Sequence, residues 1–142
     1  VLNVESNAGT VLATTSQLDR EKEKILEDKG VRIIKADNGK GNVNLEMLMD
    51  ELYKLEIDSV LLEGGGTLNY SALESGIVDK VMMFIALKII GGKTAISPVE
   101  GAGRQLMKDA IRLKDIVVSR FDEDFLVEGY LNQEDDLCSP EL

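Results

Sequence analysis

Apolar runs and helical spacings alternate along the first half of the chain. Thr10 to Thr15 (TVLATT) is short, β-branched and apolar, which predicts a buried strand. Ser16 has N-cap chemistry, and Asp19 stands in capping-box position three residues later. A charged helix is therefore expected to about Lys29, burying Leu18, Ile25 and Leu26 along one stripe and stopping at Gly30. Val31 to Ala36 (VRIIKA) predicts the second strand, and the polar, glycine-containing stretch Asp37 to Val43 reads as a loop. Asn44 is placed to cap a second helix, in which Leu45, Leu48, Met49, Leu52 and Leu55 recur at the spacing of a core-facing stripe. Ser59 to Glu63 (SVLLE) predicts a third strand that runs directly into Gly64, Gly65 and Gly66. A third helix is expected from Thr67 to Ser75, with Gly76 as its stop.

Beyond Gly76 the pattern changes. Asp79 to Ile90 (DKVMMFIALKII) predicts one long strand, followed by a loop from Gly91 to Gly103 and a short helix or turn from Arg104 to Ile111. Arg112 to Arg120 and Phe125 to Leu131 flank the polar turn Asp122-Glu123-Asp124 and read as an antiparallel hairpin. Three strands alternating with three helices imply right-handed crossovers and parallel pairing. The expected fold class is thus α/β, with a mixed, mainly parallel central sheet covered by helices and a C-terminal antiparallel hairpin. Residues 1–131 form one domain on this reading, and 132–142 an acidic tail containing Pro140. The apolar run Val81 to Ile90 is either the buried centre of the sheet or part of a face for a second copy.

Composition narrows the chemistry. The chain of 142 residues contains no histidine, which excludes imidazole metal sites, serine–histidine triads and histidine general bases. Its single cysteine, Cys138, allows neither an intrachain disulfide nor a cysteine-rich zinc site, so no metal is expected and a cytoplasmic location fits. A formal charge of −10 disfavours general attraction to nucleic acid or anionic lipid and leaves a small molecule as the expected partner. No apolar run reaches the roughly 20 residues that span a bilayer. The chain opens Val1-Leu2-Asn3, without an initiator methionine, which suggests a processed product or a piece of a longer protein.

The candidate site is the turn after the third predicted strand. Glycines between a strand and a helix let a phosphate approach the backbone, and the N–H groups and dipole of the following helix favour an anion there. Gly64, Gly65 and Gly66 either serve this purpose or simply make a tight turn; they match neither G-x-G-x-x-G nor a P-loop. Glu63, at the end of an apolar strand, is costly to bury without a partner, and it would accept from a ribose hydroxyl or a substrate amine, or else cap the next helix. Thr14, Thr15 and Ser16 offer hydroxyls at another strand end, suited to a phosphate or to a plain N-cap.

LLEGGGTLNYSALESGIVDKVMMFIALKIIGG, from Leu61 to Gly92, resembles the reductase domain of the bifunctional riboflavin-biosynthesis deaminase-reductase, and the likeness continues weakly through SPVEGAG (Ser97 to Gly103) and DFLVEGYL. The resemblance implies a dihydrofolate-reductase-like fold and NADPH-dependent reduction of the ribose of 5-amino-6-(5-phosphoribosylamino)uracil to a ribityl chain. It places Gly64, Gly65, Gly66 and Thr67 against the NADPH phosphates and Glu63 near the substrate. Thr15 and Ser16 fall at the adenosine ribose and its 2′-phosphate. It also favours a homodimer. Leu87 departs from the family's usual proline and Lys80 from its usual acidic residue; the segment carrying further substrate contacts would lie upstream of Val1. The alternatives are a noncatalytic nucleotide-binding module of the same fold and a related pterin or folate reductase.

Overall fold

The computed structural model describes residues 8–37 and 39–131. The acidic tail 132–142, with Cys138 and Pro140, and the opening residues Val1-Leu2-Asn3 lie outside the described residues. The chain divides into two compact units, one ending at Leu61 and the other beginning at Leu62.

In the first unit, strands β1 (Thr10–Thr14) and β2 (Val31–Lys35) pair in parallel, from Thr10 opposite Val31 to Thr14 opposite Lys35. Helix α1 (Arg20–Asp28) connects them as the crossover that a parallel pair needs. The predicted start of this helix needs correction. Asp19, rather than Ser16, is the N-cap: its Oδ1 accepts from the amides of Glu21 at 3.0 Å and Lys22 at 3.2 Å. Both residues have capping chemistry, but the carboxylate that reaches two orphan amides decides where the helix begins. Gly30 stops it with φ 77, as expected. Leu18 and Leu26 are half-buried, whereas Ile25 is exposed. Glu23 turns inward instead, and its Oε1 pairs with Lys35 Nζ at 2.6 Å to tie α1 to β2.

Val31, Ile34 and Ala36 form the buried centre of this unit. The loop after β2 closes on itself through an antiparallel bridge between Asp37 and Val43, and the Asn44 amide donates to the Ala36 carbonyl at 2.8 Å. Helix α2 (Leu45–Tyr53) then starts where the Asn44 side chain accepts from the Met47 amide at 3.0 Å. Leu45, Leu48, Met49, Leu52 and Leu55 are all half-buried, and Glu46, Met47, Asp50 and Tyr53 are exposed, which is the stripe their spacing predicts.

The third predicted strand does not form. Residues 57–65 carry no ladder, and Val60, Leu61 and Leu62 are exposed. Side-chain pattern alone cannot make a strand; it needs a neighbour to take its amides and carbonyls.

The second unit opens with α3 (Gly66–Glu74), capped at Ser75 and released by Gly76 at φ 66. Its sheet has the order β3 (Lys80–Ile85), β5 (Asp124–Leu131), β4 (Leu113–Phe121), all antiparallel. The predicted hairpin is present, with Phe121 opposite Asp124 and Asp122 in the left-handed region at φ 55, where a short polar side chain is tolerated. The long strand predicted to Ile90 ends at Ile85, and β3 is an edge rather than a buried centre: Met82, Met83, Phe84 and Ile85 are exposed. A single 3₁₀ turn (Met107–Asp109) occupies the stretch expected to hold a short helix. The α/β class with parallel pairing first and antiparallel pairing last therefore holds, but the strands are distributed between two sheets among the described residues, because the segment expected to add a third parallel strand is unpaired.

Candidate functional site

The two groups of predicted site residues fall in different units, Thr15 and Ser16 in the first, and Glu63 to Thr67 in the second.

At the glycine turn, Gly65 is the N-cap of α3 with φ −73 and supplies no side-chain acceptor, so the first amides of the helix have no side-chain cap. Such amides, with the helix dipole behind them, are the physical requirement for holding an anion. None of the three glycines has positive φ, so their role is room rather than backbone freedom. The room differs at each. A Cβ on Gly65 would meet nothing within 4 Å, while one on Gly66 would stand 2.5 Å from Glu100 Cγ and 2.6 Å from the Ser97 carbonyl oxygen. At Gly64 it would press on Leu68 Cδ2 at 2.7 Å. Gly65 is thus the open face of the turn, and Gly66 is where a second loop packs down.

That loop, Ser97 to Gly101, belongs to the SPVEGAG stretch, to which the sequence assigns no site role. It is fastened across α3 by three bonds: Glu100 N–H to the Gly66 carbonyl at 3.1 Å, Thr67 Oγ1–H to Glu100 Oε2 at 2.9 Å, and Asn69 Nδ2–H to the Pro98 carbonyl at 2.8 Å. Gly101, at φ 96, lies against the Tyr70 ring so closely that any Cβ would collide with it. The sequence signal for this contact was the SPVEGAG stretch, whose glycine and proline mark a fixed loop without saying what it touches. An open cleft of about 350 Å³ lies beside it, lined by Tyr70, Leu73, Val99 and Ile111, with the Glu74–Arg104 ion pair at 2.5 Å on its rim.

Glu63 is exposed and precedes the helix without capping it. With no strand formed before it, its carboxylate is not buried and needs no partner. Thr67 is exposed, and its hydroxyl proton is directed to Glu100.

At the other group, Ser16 is exposed and Thr15 half-buried just beyond β1. Ser16 gives its amide at 2.9 Å and its hydroxyl at 2.5 Å to the same oxygen of Asp37, Oδ2. Asp37 Oδ1 accepts from the Gly39 amide at 2.7 Å. The Ser16 hydroxyl first, then the two amides, hold the Asp37 carboxyl below the usual carboxylate range. Asp37 sits in what the sequence presents as an ordinary polar loop, and only the parallel pairing of β1 with β2 brings it beside Ser16. Among the described residues no helix is long and apolar enough to cross a membrane.

The comparisons with known proteins agree with this architecture. Residues 2–127 match the RibD C-terminal domain family. The chain is 41% identical over 119 residues to the riboflavin biosynthesis protein RibD of Actinobacillus pleuropneumoniae, covering 84% of this chain and 31% of that protein. It is 39% identical over 128 residues to the 2,5-diamino-6-ribosylamino-4(3H)-pyrimidinone 5′-phosphate reductase of Methanothermobacter thermautotrophicus, covering 90% of this chain and 57% of that one. Among solved structures, RibD of Acinetobacter baumannii superposes with a TM-score of 0.68 at 22% identity, over 87% of this chain and 37% of that one, a likeness of fold. The chain thus spans about a third of one of these curated relatives and somewhat over half of the other, and it belongs to the RibD C-terminal domain family.

Proposed function

We propose that this chain is the reductase portion of a riboflavin-pathway enzyme, which uses a reduced nicotinamide dinucleotide to reduce the ribose of a pyrimidine ribosylamino phosphate, 5-amino-6-(5-phosphoribosylamino)uracil, to its ribityl form. Membership of the RibD C-terminal domain family supports the reading, as does similarity to a relative named as a pyrimidinone phosphate reductase. The structural observation that carries it is the uncapped start of α3 behind the open Gly65.

The dinucleotide, when bound, supplies the hydride. The chain's own task is binding and orientation, which needs no histidine and relies on preorganised amides. In this reading the Gly65, Gly66 and Thr67 amides receive the diphosphate, and the loop fastened by Glu100 keeps the first turn of α3 in place to do so. Gly64 contributes the close approach of the backbone. Glu63, exposed at the entrance to the turn, is the group offered to substrate hydroxyls or amines. The family resemblance names NADPH as the form used and a homodimer as the assembly. Fluorescence titration with NADPH and NADH, followed by dinucleotide oxidation in the presence of the pyrimidine substrate, tests the reading. Saturable binding with substrate-dependent oxidation is expected, and failure to bind either dinucleotide contradicts it.

A further inference from the structure

Helix α3 begins with no acidic residue in its first turn and no side-chain cap, so its own sequence leaves the positive end of the helix dipole unmet. Glu100, 33 residues beyond Thr67, brings a carboxylate to that turn. A Cβ on Gly66 would stand 2.5 Å from Glu100 Cγ and 3.0 Å from its carboxyl carbon, and Oε2 accepts the Thr67 hydroxyl at 2.9 Å. Among the described residues no lysine or arginine forms an ion pair with Glu100. All of these groups belong to the second unit.

The carboxylate and the loop that carries it are held separately. The Glu100 amide donates to the Gly66 carbonyl at 3.1 Å, and Asn69 Nδ2–H donates to the Pro98 carbonyl at 2.8 Å; neither bond uses the carboxylate. Because Glu100 is exposed, its carboxylate can swing into water while the loop stays fastened. Thr67 has one hydroxyl proton to donate. A diphosphate arriving at the Gly65, Gly66 and Thr67 amides brings a second anionic acceptor to that proton and a like charge to the carboxylate.

We propose that Glu100 is an affinity-setting residue of the diphosphate site, whose carboxylate competes with the ligand for the Thr67 hydroxyl and the start of α3. The inference rests on the dinucleotide reading of the preceding subsection and adds an internal competitor to it. Binding exchanges one hydrogen bond for another: Thr67 Oγ1–H turns from Glu100 Oε2 to a phosphate oxygen, and the carboxylate passes to solvent. The two bonds that do not involve the carboxylate keep the loop, and with it the first turn of α3, in place throughout. The site is thereby held below the affinity that its amides and hydroxyl would otherwise give.

Glu100→Gln removes the charge and keeps both a carbonyl acceptor for Thr67 and the backbone amide for Gly66. The dissociation constant for NADPH, measured on the full chain by nicotinamide fluorescence, is expected to fall about fivefold in this variant, the size of one exposed charge–charge interaction. The wild type supplies a second readout that needs no variant. The side-chain carboxyl carbon resonance of Glu100 is expected to shift as NADPH saturates the protein, while that of Glu74, paired with Arg104, stays in place. Saturable binding that leaves the Glu100 resonance unmoved would overturn the inference, whether or not the variant folds. An unchanged or weaker affinity in folded Glu100→Gln would also overturn it, and either result leaves the dinucleotide reading intact. Failure of both proteins to bind NADPH or NADH would overturn both.

Discussion

Glu100 accepts the hydroxyl proton of Thr67 and, through its own amide, donates to the carbonyl of the residue before it, Gly66, so a loop distant in sequence is bolted to the first turn of α3. Gly66 is the position at which that bolt leaves no room. Gly66→Ala places a methyl group 2.6 Å from a backbone carbonyl oxygen that cannot rotate aside, and should cost roughly 1–3 kcal/mol in urea unfolding. Gly65→Ala meets open space and should cost no more than about 1 kcal/mol, the ordinary loss for alanine at an N-cap. A loss at Gly65 equal to that at Gly66 would contradict the described packing.

The helix caps make a second pair. Asp19→Ala should destabilise by about 1 kcal/mol through the loss of two amide bonds at the start of α1. Asn44→Ala should behave similarly at α2. Thermal melts read both, and an Asp19→Ala protein as stable as wild type would return the cap to Ser16.

Stability should follow the titration of two groups. The folded Asp37 carboxyl lies below its ordinary value of 3.8, so its contribution is present above that pH and is lost as pH falls through the lower folded value. Lys80 is the reverse case: the hydrogen bond from its ammonium to Glu128, at 2.7 Å, raises it above 10.5, and its contribution is present below that value and lost as pH rises past the folded one. Melting temperature against pH measures both limbs. Asp37→Asn should flatten the acid limb below 3.8 and leave the alkaline limb unchanged.

The sheet of the second unit exposes Met82, Phe84, Val117 and Phe121 on one face, with Phe84 and Phe121 in edge-to-face contact at 5.8 Å, and Met83, Ile85 and Val118 on the other. Apolar surface this contiguous, on strands with an unpaired edge, favours association. A dimer mass is expected in light scattering at micromolar concentration, and a monomer would contradict it.

What could be read from the residues alone was whatever depends on neighbours in sequence. The stripe of α2 and its Asn44 cap, the glycine stops at Gly30 and Gly76, and the turn at Asp122 are local, and each is present. Where the outcome depended on a distant partner, the reading failed or was silent. Ser59 to Glu63 has strand composition but no ladder, and β3 lost its last residues for the same reason. Ser16 lies beside Asp37, 21 residues on, a pairing that nothing in the residues around the serine announces. The glycine turn itself was legible, but the role of Gly66 was not, because Glu100 lies 33 residues beyond Thr67.

The central claim is that the first amides of α3 receive the diphosphate of a reduced nicotinamide dinucleotide. Amide resonances of Gly65, Gly66, Thr67 and Leu68, followed by heteronuclear NMR while NADH is added to the full chain, test it most directly. Saturable shifts at these amides, weakened by Gly65→Ala, are the predicted result; saturable binding that leaves all four unmoved would contradict the account.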